Sequence, residues 1–166
     1  MYRKITDFLS DWQMESENTL KVFSKITDAS LNEKEHENIR SMGTLSWHMA
    51  GFITEVLKMA GLQIDGPDVH SKPPSSIKEI IEGYKKVSAS LTKEVKSKWN
   101  DASLDEVVDI FGNKIPKGKA LFLLVVHQAH HRGQLTILIR LAGLKVPGVY
   151  GPAKEEWALM NMPAMD

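Results

Sequence analysis

Apolar residues recur at steps of three and four along most of this chain, the spacing that places them on one face of an α-helix. The pattern predicts four helices, over about residues 3–27, 44–60, 76–98 and 117–143. Thr44 follows a glycine and is a candidate N-cap for the second helix, and either of two neighbouring serines can cap the third. Most of the chain is therefore expected to be helical.

The connections between these helices are long. Residues 105–118, DEVVDIFGNKIPKG, combine a short alternation of apolar and polar residues with a candidate turn, or corner, at Gly112 and Asn113. This pattern indicates a small hairpin or an extended crossover. Four long helices joined in this way are typical of an all-α four-helix bundle, here with a long crossover before the last helix. The length of 166 residues suits a single domain spanning residues 1–166.

The composition of the chain argues against several classes of function. The chain carries 21 basic and 21 acidic residues and no cysteine. Balanced charge disfavours nucleic acid and anionic membranes as partners. The lack of cysteine excludes disulfides, thiolate ligands and cysteine nucleophiles. The N-terminal segment does not resemble a signal peptide and no apolar run is long enough to span a bilayer, so we expect no membrane partner and a cytoplasmic location.

Two histidines of the fourth helix, His127 and His131, are four residues apart and share one helical face. Residues of the same stripe are mostly apolar: Ala120, Leu123, Leu124, Gln134, Leu135, Leu138 and Leu141. Both imidazoles are therefore expected to point into the core. His130 lies about 60° away around the helix and is assigned to a supporting or interface position.

A third histidine, His48, lies on the apolar stripe of the second helix. That stripe also contains Leu45, Phe52, Glu55, Met59 and Leu62. Taken alone, an inward histidine is more often hydrogen-bonded to a backbone carbonyl or a buried water. Three buried imidazoles without partners would each cost about 1–3 kcal/mol, and one shared metal ion would satisfy all of them. Three protein ligands with open positions are typical of catalytic rather than structural zinc sites.

Three stretches of the sequence carry a resemblance to a known family. They are RSMGTLSWHMAG at 40–51, HQAHHRGQLTILIRLAG at 127–143 and VPGVYGPAKEEW at 146–157. With this helix order, the chain closely resembles the DinB family, the DinB/YfiT-like metalloenzymes, which are distinct from the DNA polymerase of the same name. The resemblance implies that His48, His127 and His131 bind a divalent metal, nickel or zinc, and that the protein is a homodimer.

The family does not imply one reaction. Its characterised members include S-transferases that use low-molecular-weight thiols and a thiol-dependent isomerase, whereas others are described only as damage-inducible. We therefore expect a metal-dependent thiol S-transferase or hydrolase that acts on a small molecule. A low-molecular-weight thiol is a candidate co-substrate. The alternative is a non-catalytic metal-binding stress-response protein. By donor chemistry alone, three imidazoles also accept iron or copper.

Two further polar residues are candidates for the chemistry. Glu55 lies two turns beyond His48 and could act as a general base, orient an imidazole or pair with a buried cation. As a fourth ligand it would close the site and favour the non-catalytic alternative. Gln134 could hydrogen-bond substrate or water, or be a satisfied core amide.

Overall fold

The computed structural model describes residues 1–34 and 36–164. Its four long helices and one hairpin confirm the predicted all-α bundle. The helices are α1 (Ile5–Phe23), α2 (Met42–Met59), α3 (Ile77–Lys98) and α4 (Lys117–Leu141), and the strands are β1 (Val107–Ile110) and β2 (Asn113–Pro116). The single domain predicted for 1–166 includes Glu35, Met165 and Asp166, which lie outside the described residues.

The helix ends differ slightly from the sequence-based boundaries. The N-cap of α2 is Ser41, whose hydroxyl accepts a hydrogen bond from the backbone N–H of Thr44 at 3.2 Å, so the predicted Thr44 cap is wrong. Ser76 caps α3 by accepting from the N–H of Lys78. Beyond α4, Gly143 adopts a left-handed φ of 71°, which suits glycine at the end of a helix.

The arrangement of the helices places α2 beside α4. Helix α1 packs against α3 and α4, and α2 packs against the same two helices. Consequently α1 and α2 face each other across one diagonal of the bundle, and α3 and α4 across the other. The segment 99–116, which includes the hairpin, connects α3 to α4 across the second diagonal. It is the predicted crossover. Because α2 and α4 are neighbours, histidines on their facing sides can meet.

The hairpin contributes an aromatic residue to the region around α2. Its strands are antiparallel, and Ile110 pairs with Asn113. The two turn residues are Phe111 and Gly112, with φ values of 52° and 79°. Two positive φ values are typical of a type I′ turn, so the predicted Gly-Asn corner is displaced by one residue. Phenylalanine rarely adopts this conformation, and here its ring stacks on Phe52 of α2 at a centroid distance of 6.0 Å.

Among the described residues, no helix combines the length and apolar character that crossing a membrane requires.

Candidate metal centre

Three histidine side chains converge between α2 and α4. Nε2 of His127 lies 3.2 Å from Nε2 of His48 and 3.1 Å from Nε2 of His131. One ring nitrogen of each histidine belongs to a group in which all atoms lie within 4.8 Å of one another. The structure thus brings together the three histidines selected from the sequence, and His127 occupies the central position.

The cluster lies at the rim of the core and not in its interior. The side chain of His131 is 7% exposed, whereas His48 and His127 are half-buried. Gln134 is exposed and Leu141 is 56% exposed, although both were expected on the inward stripe of α4. The neighbouring elements cover only part of this helix face, which leaves the imidazoles accessible from the adjoining surface.

Gln134 orients His131. Its Oε1 lies 2.7 Å from Nδ1 of His131, and since a carbonyl oxygen only accepts, the imidazole donates from Nδ1. Nε2 of the neutral ring is then free of hydrogen and directs its lone pair into the cluster. The Gln134 amide nitrogen donates to Nε2 of His130 at 3.0 Å. Gln134 is therefore neither a core amide nor free to bind substrate through both of its polar atoms.

His127 is oriented mainly by an aromatic contact. Its imidazole stacks on the Phe52 ring with centroids 3.6 Å apart and planes 8° from parallel. Nδ1 of His127 is buried and has no hydrogen-bond partner among the described residues. The two ring nitrogens of this histidine thus have different environments, since only Nε2 faces other polar atoms.

The electrostatic environment keeps the three imidazoles neutral. Burial, followed by the charge of Arg40, lowers the pKa of His48 to about 4. Burial and the neighbouring His131 and His48 lower the pKa of His127 to about 2. Burial also lowers the pKa of His131, against the opposing effect of its hydrogen bond to Gln134. Neutral imidazoles have available lone pairs, so near pH 7 a metal ion would meet little competition from protons.

The two nitrogen separations that involve His127 suit ligands of one metal ion. Zinc–nitrogen bonds of about 2.0–2.1 Å imply ligand nitrogens roughly 3.3–3.4 Å apart at tetrahedral angles, and roughly 2.8–3.0 Å apart at right angles. The observed 3.1 and 3.2 Å lie between these values. The donor set is also suitable, because three neutral nitrogen ligands are a common catalytic site for divalent ions.

Two cavities adjoin the cluster. The cavity beside His131, here called the Gln134 cavity, has a volume of about 620 Å³, and the cavity beside His48, the Glu55 cavity, about 540 Å³. Both volumes are in the range of small-molecule sites. Polar residues of the Gln134 cavity are Asn38, Arg40, His130, His131 and Gln134. The walls of the Glu55 cavity include Arg40, Trp47, His48, Phe52, Glu55 and Phe111.

Glu55 is half-buried and lines its cavity together with His48, but it does not belong to the group of converging ligand atoms. Within residues 1–34 and 36–164, that group contains histidines alone. A fourth protein ligand from Glu55 is therefore not part of the observed arrangement. His130 is exposed and also lies outside the group, as its position on the helix predicted.

A family model identifies the protein's relatives: the model of the DinB family matches residues 1–165. The chain belongs to the DinB family. It is 35% identical over 164 residues to YrdA of Bacillus subtilis (strain 168), an uncharacterized protein, with 99% of this chain and 98% of YrdA covered. The expected family membership is thereby confirmed.

Solved DinB-like structures share the fold. A DinB-like protein from Bacillus cereus ATCC 10987 is 39% identical and superposes with a TM-score of 0.86, over 90% of this chain and all of that one. The DinB-like protein YjoA from Bacillus subtilis is 19% identical, with a TM-score of 0.60 over 89% of this chain and 99% of its own. The latter similarity concerns the fold alone.

Behind the histidines, this DinB chain contains a buried polar network that sequence reasoning missed. Arg132, which follows His131, is 2% exposed and forms an ion pair with Glu15 of α1, itself 3% exposed. Arg132 also donates to the backbone carbonyl of Glu15 at 3.0 Å and to the hydroxyl of Thr19 at 3.1 Å. The Tyr150 hydroxyl contacts both charged groups. The available signal was a glutamate on the mostly apolar stripe of α1.

Proposed function

We propose that this DinB-family protein is a metal-dependent enzyme that binds one divalent ion through His48, His127 and His131. Its substrate is a small molecule bound in the adjoining cavities, and its reaction is thiol S-transfer or hydrolysis. The observation that carries this proposal is the convergence of three neutral imidazoles, in which Nε2 of His127 lies 3.2 Å from that of His48 and 3.1 Å from that of His131. Without an ion, these atoms have few other hydrogen-bond partners to satisfy them.

The metal is nickel or zinc in this proposal, with iron and copper as further possibilities. Neutral imidazole suits all four ions, and the absence of thiolate and carboxylate from the cluster does not separate them. When bound, a divalent ion at such a site supplies Lewis acidity, which favours the deprotonated form of a thiol or of water near neutral pH. That property serves both proposed reactions.

The cavities favour an enzyme over a structural metal protein. Structural zinc sites have four protein ligands, whereas three protein ligands leave room for a substrate or water. The Gln134 cavity and the Glu55 cavity approach the cluster from the sides of His131 and His48. The half-buried Glu55 carboxylate would accept a proton from a thiol or a water molecule in its cavity. Gln134 would act as a positioning residue, because it holds Nδ1 of His131.

The alternative is a non-catalytic metal-binding protein of the stress response, in which the ion only stabilises the fold. The contact between α2 and α4 favours it, since an ion shared by His48 and His127 would join two helices. The two functions differ in a measurable way: an enzyme turns over a substrate at the loaded site, whereas a structural ion raises stability alone.

Metal content tests the proposal directly. Untagged protein purified without added metal is subjected to elemental analysis, beside the alanine variants of His48, His127 and His131. We expect near-stoichiometric metal in the wild type and a sharp loss in each of these variants. The matched control is His130→Ala, which removes an exposed neighbouring imidazole and should retain most of the metal. Equal losses in all four variants, or no metal in the wild type, would contradict the ligand assignment.

Activity is tested next on the loaded protein. A panel of electrophiles is incubated with low-molecular-weight thiols, and thiol consumption is followed, in parallel with ester and amide hydrolysis. Turnover that is lost in His131→Ala and reduced in Glu55→Gln supports the enzyme. Metal-dependent stability without turnover across the panel supports the alternative.

A homodimer and a cytoplasmic location, both expected from the sequence, stay predictions. A surface suited to self-association is the outer face of α4, where large apolar side chains are exposed: Phe122, Val126 and Leu141. Sedimentation velocity of the wild type beside Phe122→Glu would test whether this face forms a dimer.

A further inference from the structure

Arg40 occupies a position common to both cavities. It precedes the N-cap of α2 and lines the Gln134 cavity as well as the Glu55 cavity. The two cavities otherwise lie on different sides of the histidine cluster. A ligand in either one would therefore meet the same guanidinium group beside the three imidazoles.

The Gln134 cavity combines this cation with apolar walls. Ile39, Leu45, Ile137 and Leu138 supply the apolar part of the lining, and none of the described residues that line the cavity is acidic. Asn38 adds an amide at the same edge. Because the whole chain has a formal net charge of zero, this local excess of positive charge does not follow from a generally basic surface. The cavity suits a ligand with an anionic end and an apolar body.

No described residue competes with such a ligand by forming an ion pair with the guanidinium of Arg40. Two other arginines are engaged, since Arg132 pairs with Glu15 and Arg140 with Glu155. Arg40 is exposed and forms no ion pair with any residue of the described ranges 1–34 and 36–164. An arginine with free N–H groups presents a planar fork that matches a carboxylate through two parallel hydrogen bonds.

We propose that Arg40 binds the carboxylate of a small amphipathic substrate whose apolar part lies in the Gln134 cavity beside His131. The inference rests on the proposed function, because it names the substrate class of the same site. A carboxylate is favoured over a phosphate dianion, since one guanidinium supplies a single positive charge. Arg40 is thereby a specificity-determining residue, which selects acids over neutral molecules of equal size.

The test compares two probes of equal length, hexanoate and hexanamide, which differ in charge but not in apolar body. Their affinities are measured by calorimetry on the protein as purified and after zinc loading. The variants are Arg40→Gln, Arg40→Lys and, as a control, Lys93→Gln. Lys93 is exposed on α3 and does not line either cavity, so its substitution removes one positive charge elsewhere. Elemental analysis of each variant reports the metal content separately.

In the wild type we expect hexanoate to bind about tenfold or more tightly than hexanamide, the scale of a charge-assisted pair. Arg40→Gln should bring this ratio close to one at unchanged metal content, Arg40→Lys should retain part of it, and Lys93→Gln should retain all of it. A ratio near one in the wild type would overturn the inference. So would a ratio that survives in Arg40→Gln, since the metal or another group would then hold the carboxylate.

The two proposals fail separately. If the wild type contains no metal but still prefers hexanoate through Arg40, the metal assignment is wrong and the carboxylate site stands. If metal is bound through the histidines and the preference is absent, the proposed metal site stands and the substrate class is wrong.

Discussion

The Phe52 ring stacks face to face on the imidazole of His127, at a centroid distance of 3.6 Å and 8° from parallel. No hydrogen bond to Nδ1 from a described residue holds this imidazole. The central histidine of the cluster is thus oriented by an apolar contact, whereas His131 is oriented by the Gln134 amide. Two different kinds of contact therefore orient the ligands of the same site.

Loss of the stacking contact should weaken metal binding. In Phe52→Leu the side chain remains apolar but no longer presents a flat face, so His127 gains rotational freedom. We expect zinc affinity, measured by competition with a chromophoric chelator, to fall about tenfold. The control is Phe23→Leu, which alters a fully buried phenylalanine that packs on Tyr84. If both variants bind zinc equally well, stacking does not organise the site.

Removal of the Gln134 amide should have a similar effect for another reason. In Gln134→Leu, Nδ1 of His131 loses its acceptor, and the ring can turn its other nitrogen towards the cluster. Loss of such a partner typically costs 10–100-fold in metal affinity. Gln134→Glu keeps an oxygen acceptor and should retain most of the affinity. Equal affinities in the leucine and glutamate variants, measured by the same competition, would refute this role.

The stability of the metal-free protein should depend on pH through the cluster. Because burial lowers the pKa values of His48, to about 4, and of His127, to about 2, the folded state resists protonation that the unfolded chain accepts near pH 6.5. The free energy of unfolding should therefore decrease as the pH falls from about 6.5 towards 5.

Urea unfolding of chelator-treated protein at several pH values measures this dependence. His127→Gln should show a shallower decrease, whereas His36→Gln, which changes an exposed histidine outside the cluster, should follow the wild type. A wild-type stability that is constant over this interval would contradict the prediction.

The contributions of Glu15 and Arg132 to the free energy of unfolding should depend strongly on each other. Glu15→Ala leaves a buried guanidinium without its counter-charge and should lower the free energy of unfolding by about 3–5 kcal/mol. The double variant Glu15→Leu/Arg132→Met removes both charges and should cost less than Glu15→Ala alone. Chemical denaturation of Glu15→Leu, Arg132→Met and the double variant measures the coupling. Additive losses would mean that the two charges do not stabilise each other.

The bundle itself was predictable from local information. Apolar residues at steps of three and four determine that helices form and which faces are buried, since this periodicity belongs to each segment alone. The spacing of His127 and His131 likewise follows from helix geometry. His48 could be added because it lies on the apolar stripe of α2, although α2 and α4 become neighbours only in the folded chain.

Other features depend on contacts between segments distant in sequence. The pairing of Glu15 with Arg132 joins residues 117 positions apart, and periodicity carries no information on such a distance. The sequence-based prediction placed Gln134 and Leu141 on the inward stripe of α4, but both are exposed. The prediction was wrong because the burial of a residue on α4 depends on how far the neighbouring elements extend along this helix. The same holds for the stacking of Phe111 on Phe52, which needs an uncommon φ in the hairpin turn.

By itself, the sequence determined the helices, the inward stripes and the three candidate ligands, because each is a property of local periodicity and residue chemistry. Only the tertiary structure decided that the imidazoles meet at the rim of the core, that Gln134 and Phe52 orient them, and that Arg40 borders both cavities. These relationships arise from packing between α2, α4 and the loops around them, where long-range contacts select one arrangement among many that the local pattern allows.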